Sequence, residues 1–171
     1  MNPMRTIRVE KVTLNIGAGK DLDKLEKGMK LFKIITGRTP VKTFTKKRIP
    51  AWGLRPGLPI GCKITLRKSI ATELLKRLLD ARDHLLNEQQ FDINGNIAFG
   101  IPEYIDIPGI KYEPDIGIMG FEVCVTLERP GFRIKRRGIY KKKISHKHAV
   151  TKEEAIDFMK KEYKVKLGEE E

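Results

Sequence analysis

The chain has 171 residues, enough for one domain (residues 1–171) with a real core and too few for two full ones. A 40% hydrophobic share argues against wholesale disorder, and the absence of any run of about 18 apolar residues excludes a helical membrane span. The balance of 35 Lys and Arg against 22 Asp and Glu leaves a charge of +13, which points to a polyanion: nucleic acid first, an anionic membrane surface as its competitor.

The first stretch, MNPMRTIRVEK, lacks the apolar segment of a secretory signal, so a cytoplasmic location is expected. In KVTLNIG, Val12, Leu14 and Ile16 alternate with Lys11, Thr13 and Asn15, the period of a strand with one buried face. GAGK follows, and then a helix from about Asp21. Leu22, Leu25, Met29 and Phe32 recur there at steps of three and four, and Gly37 stops it. PVKTF reads as a short second strand. The next stretch, TKKRIPAWGLRPGLPIG (45–61), is a basic loop, because its prolines lack the amide donor that a long helix or a central strand needs.

GCKITLR alternates cleanly, with Cys62, Ile64 and Leu66 on one side and Lys63, Thr65 and Arg67 on the other. Ser69 is the expected cap of a second helix whose stripe runs through Ile70, Leu74, Leu78 and Leu85. Residues 91–112 are rich in Gly, Pro and Asn, with a short strand at NIAFGI. GFEVCVTLE is a further strand with Phe121, Val123, Val125 and Leu127 inward and Glu122 and Glu128 outward. TKEEAIDFMKKEY opens on a capping box, Thr151 to Glu154, and forms the last helix. The GEEE tail is expected to fray. Strands follow one another too closely for parallel crossovers throughout. The expected fold is therefore α+β, a mostly antiparallel sheet with helices on one face and an RNA-binding face opposite.

The positive excess lies in two segments. Residues 40–68 hold eight basic side chains and no acid, residues 129–148 hold nine and no acid, and the rest of the chain nets −4. If helices cover the apolar face, the other face displays Lys11, Thr13, Asn15, Lys63, Thr65 and Arg67, without an aromatic among them. Contact with phosphates, sugars and base edges is expected there, rather than base stacking. In the loop, Trp52 is either a packing anchor or a stacking contact, amid Lys46, Lys47, Arg48 and Arg55. In the extension at about 129–150, Phe132 and Tyr140 stand among Arg133, Lys135, Arg136, Arg137, Lys141, Lys142 and Lys143. That segment either stacks on unpaired bases or binds as an unspecific cationic arm.

Other motifs carry less. GAGKD lacks the spacing and the Ser or Thr of a phosphate-binding P-loop, and a nucleotide hydrolase built on Lys20 is the weaker rival reading. His146 and His148 have no further ligand at metal spacing, Cys62 and Cys124 read as reduced structural thiols, and no nucleophile–base pair stands out. Neither enzyme activity nor a metal or cofactor is expected.

KVTLNIGAG, ITGRTPVKT, PIGCKITLR and FGIPEYIDIPGIKYEPDIGIMGFEVCVTLERPGFRIKRR occur in this order. Together they resemble the ribosomal protein five family of the large subunit, with KHAVTKEEAIDFM closer to its archaeal and eukaryotic branch. The resemblance implies a structural protein of the central protuberance that binds 5S rRNA and large-subunit rRNA. By motif it points to Lys11, Asn15, Arg38 and Thr65 for 5S rRNA, beside Thr13, Lys42, Lys63 and Arg67. Bacterial members commonly carry glutamine where Arg38 stands. It further implies that the 45–61 loop reaches the peptidyl-site tRNA. Across an intersubunit bridge the family meets a small-subunit head protein, with 106–120 as the candidate region, and it neighbours other proteins of the central protuberance.

Overall fold

In a computed structural model, residues 2–168 are described. The chain forms β1 (Arg8–Gly17), α1 (Leu22–Thr36), β2 (Val41–Phe44), β3 (Pro59–Arg67), α2 (Lys68–Asp80) and β4 (Leu85–Asn87). It continues through β5 (Ile97–Ile101), β6 (Phe121–Glu128), a single turn α3 (Arg133–Arg136), α4 (Lys152–Tyr163) and β7 (Lys166–Gly168). Five strands make one antiparallel sheet in the order β2-β3-β1-β6-β5, and β4 and β7 make a separate parallel pair. The α+β expectation holds. No helix is long and apolar enough to cross a membrane among the described residues.

Alternation explains the core. Val12, Leu14 and Ile16 of β1 sit beside Cys62, Ile64 and Leu66 of β3 and Val123, Val125 and Leu127 of β6, and all are buried. Helices α1 and α2 lie on this face of β1 and β3. The closest approach is at Gly28 of α1, where an added Cβ would stand 3.2 Å from Cys62 Sγ and 3.3 Å from Ile16 Cδ1. Only hydrogen fits there without displacing a neighbour. Phe32 of α1 then meets Phe121 of β6 edge-on, ring centroids 5.8 Å apart.

Helix ends follow local chemistry with one exception. Asp21 caps α1, Gly37 ends it in the left-handed region at φ 67°, and Thr151 and Glu154 form the expected capping box of α4. Ser69 does not cap α2. The ladder with β1 runs to Arg67, and Lys68, at φ 62°, turns the chain straight into the helix, which leaves Ser69 inside the first turn.

Three apolar assignments also shift. Leu22 and Ile70 are exposed on their helices and Leu85 lies in β4, beyond the end of α2 at Asp80, while Leu31, Ile35, Ala71, Leu75 and Leu79 are buried instead. The sheet twists beneath each helix, so its buried stripe is set by contact with the sheet rather than by the most apolar spacing. Gly168 of the tail pairs with Asn87 in the small sheet; residues 169–171 lie outside the described residues.

Candidate nucleic-acid interface

Register decides which polar side chains share the outer face. Lys11 stands opposite Arg67, Thr13 opposite Thr65, and Asn15 opposite Lys63, so the six side chains form three adjacent rows. The two threonine hydroxyls are 3.4 Å apart. Lys11, Lys63 and Arg67 have no ion-pair partner among the described residues. Strand β2 adds Val41 and Thr43 to this face, and Lys42, opposite Cys62, points to the other side of the pleat. Arg38 is exposed in the turn after α1, not on the sheet; its backbone N–H donates to Thr36 Oγ1.

The outer face is not free of acid, because β6 continues it on the far side of β1. Glu122 aligns with Asn15, whose Nδ2 donates to Glu122 Oε2 at 3.2 Å. Cys124 and Thr126 follow on the same side, and β5 adds Gly100 and Ala98. Cys124 is therefore an exposed thiol of this face and not a core residue. Partial burial, and secondarily the Glu122 carboxylate, push its thiol above the ordinary value. Burial of Cys62 pushes that thiol up to about 11. The alternation of GFEVCVTLE already held these positions; what one strand alone could not show was that β6 lies next to β1.

The basic loop is shorter and more ordered than its composition suggests. Residues 59–61 belong to β3, where Pro59 occupies the first strand position and so needs no ladder donor on its own amide. Between the strands, Thr45 N donates to Leu58 O at 2.9 Å and Gly57 N returns to Thr45 O at 2.9 Å. Ile49 and Leu54 exchange two backbone bonds, both 3.0 Å, around a tight turn at Pro50–Trp52. Leu54 is the buried anchor, 8% exposed, whereas Trp52 is 65% exposed and anchors nothing. Lys46, Lys47, Arg48 and Arg55 are all exposed around it.

The C-terminal basic segment is folded back onto the sheet edge. Arg136 donates to Glu10 and, at 2.6 Å, to Glu128; Arg8 holds the other oxygen of Glu128 at 2.7 Å. Glu128 is thus an outward-facing residue buried by two arginines, not an open carboxylate. Arg129 is buried and pairs with Glu154 at 2.6 Å. Phe132 packs on His148 with centroids 5.8 Å apart, while Tyr140 is 82% exposed. Arg133, Lys135, Arg137, Lys141, Lys142 and Lys143 remain exposed and unpaired with any acid among the described residues. Within those residues no group of three His, Cys, Asp or Glu is placed to hold a metal.

Residues 2–55 match the family model for ribosomal protein L5, and residues 59–158 match the model for the C-terminus of the same ribosomal family. A large ribosomal subunit protein uL5 from Nanoarchaeum equitans is 50% identical over 97% of this chain and 98% of its own. The chain belongs to the uL5 family of large-subunit ribosomal proteins. The uL5 of Sulfurisphaera tokodaii is 46% identical over 99% of this chain and 96% of its own, and that of Methanobrevibacter smithii 44% over 96% and 97%. A uL5 is a structural component of the cytoplasmic ribosome and not an enzyme, so the hydrolase reading of GAGKD falls. Gly19 and Ala18 there donate to Ile60 O, as a plain strand-to-helix turn.

Proposed function

We propose that this uL5 binds 5S rRNA through the outer face of β1 and β3 and holds it against large-subunit rRNA in the central protuberance. The observation that carries the reading is the set of three adjacent rows Lys11–Arg67, Thr13–Thr65 and Asn15–Lys63, cationic at both ends and hydrogen-bonding between. Spaced cations set the register on phosphates, and the hydroxyl and amide groups between them reach sugars and base edges. Arg38, at the end of α1, contacts the same RNA from beside the sheet. Lys42, on the opposite side of the pleat, serves this contact only from the edge of β2.

The 45–58 hairpin is the proposed contact with peptidyl-site tRNA. Its support is an exposed Trp52 raised on a short, internally bonded turn and ringed by Lys46, Lys47, Arg48 and Arg55. Exposed cations of the 133–143 segment take large-subunit rRNA. The exposed Tyr112 and Ile118 make residues 106–120 the proposed side facing a small-subunit head protein across the intersubunit bridge.

Filter binding across a salt series tests the central claim. The expected result is tighter binding of 5S rRNA than of an unrelated duplex of equal length. Each of Lys63→Ala and Arg67→Ala should flatten the salt slope by about 0.7 to 0.9. Equal affinity for both RNAs would reduce the protein to a general RNA-binding module.

A further inference from the structure

The folded-back basic segment makes a wall, and the wall encloses a groove. The groove holds about 1520 Å³, more than a small-molecule site of up to roughly 1,000 Å³ requires. Its floor is the outer face of β5 and β6, made of the short side chains Ala98, Cys124 and Thr126. One wall carries Lys135 and the run Lys141, Lys142 and Lys143. The other is the turn after Phe91, where Asn94 Nδ2 and Asn96 Nδ2 donate to Asp92 Oδ2 at 3.3 and 3.2 Å. Those two amides, Asn96 foremost, hold the Asp92 carboxyl below its ordinary value, so the wall stays anionic.

We propose that this groove binds a single-stranded RNA segment, with its phosphates along Lys135 and Lys141–Lys143 and its bases across the floor toward Asn94 and Asn96. The inference rests on the RNA-binding function proposed above and assigns a second contact, on the β5–β6 side of the sheet, which meets the β1–β3 rows at Lys11. Three features select this occupant. The charge difference between the walls draws the backbone to one side and repels it from the other, which orients the strand. A floor of short side chains leaves depth for bases, and Phe132 at the groove offers an aromatic surface. Bases laid across the floor toward Asn94 and Asn96 must have free edges, which an unpaired strand offers and a duplex does not.

Cys124 is a built-in reporter, since Cys62, the other thiol of the chain, is fully buried. Alkylation of Cys124 by iodoacetamide would be followed in the full chain alone, with an oligouridylate of about a dozen nucleotides, and with that oligouridylate annealed to its complement. With the single strand at about ten times its Kd, alkylation should slow about tenfold, while the duplex at the same concentration leaves it nearly unchanged. Ala98→Glu, an exposed change on the floor, should abolish protection without altering the melting temperature. Unchanged alkylation with the single strand, or equal slowing by the duplex, overturns the proposal. Filter binding of 5S rRNA in the same preparation separates failure of the groove from failure of the outer-face reading.

Discussion

The guanidinium of Arg136 reaches back from the basic segment to the buried carboxylate of Glu128, 2.6 Å away. A segment with no acid of its own is thereby tied to the sheet by acids from elsewhere, Glu128 of β6 and Glu10 of β1. Both arginines on Glu128 are about half exposed, so water can take them back if the acid is lost. Glu128→Ala should therefore cost only about 1 to 2 kcal/mol, below the penalty of a fully buried pair. Its clearer sign should be local: faster trypsin cleavage within 133–143 at unchanged global unfolding cooperativity.

Arg129 and Glu154 form the opposite case. Arg129 is 4% exposed and its Nε has no hydrogen-bond partner among the described residues, so Glu154 carries most of its compensation. Glu154→Ala should destabilise by roughly 2 to 3 kcal/mol, from a stranded guanidinium plus a lost cap. Burial works against the Glu154 carboxylate, but the Thr151 backbone N–H and Arg129 outweigh it and hold the group below its ordinary 4.5. A depressed folded value gives stability that is complete above pH 4.5 and fades as pH falls through the folded value. Acid titration of the wild type against Glu154→Gln, followed by circular dichroism, should show the difference between them shrinking below pH 4.5.

Glu122 is the one exposed acid in the Asn15 row, and it both occupies the Asn15 amide and repels phosphate. Glu122→Gln should tighten RNA binding by about 0.2 to 1 kcal/mol at low salt, and the gain should vanish as salt rises. A weaker complex in the filter assay would mean instead that Glu122 positions Asn15 for its contact.

Trp52 and Leu54 stand two residues apart and do different work. Trp52→Ala should leave stability within about 0.5 kcal/mol of wild type, because the ring buries little. Leu54→Ala removes the loop's only buried apolar anchor among the described residues and should speed trypsin cleavage after Lys46, Lys47 and Arg48. Trp52→Ala should weaken tRNA binding by about 1 to 3 kcal/mol if the ring stacks on a base. Thermal melting, timed proteolysis and a tRNA gel shift together separate the two.

Much of this molecule was legible in one dimension because its strands alternate so regularly. The buried triads Val12, Leu14, Ile16 and Cys62, Ile64, Leu66, and the outward side chains between them, needed only a period of two. The capping box at Thr151 and the stop at Gly37 are local chemistry and were equally readable. Ser69 misled because capping preference is weak beside a ladder that continues to Arg67.

The residues left to tertiary structure are those whose roles depend on partners far along the chain. Glu122 joins the Asn15 row and Arg8 reaches Glu128 because β1 pairs with β6 across more than a hundred residues, and Arg136 completes the seal on Glu128 from the folded-back basic segment. Lys42 lies on the wrong side of the pleat because its register is set by Cys62. By itself the sequence determined the five strands of the main sheet, the three long helices, the two buried faces and the cationic segments, since periodicity and charge are local properties of the chain, whereas the β4–β7 pair went unread. Which strands are neighbours, which acids hold the basic segment down, and whether Trp52 or Leu54 anchors the loop were decided only by the fold. Those outcomes depend on long-range packing, whose energies no single segment carries.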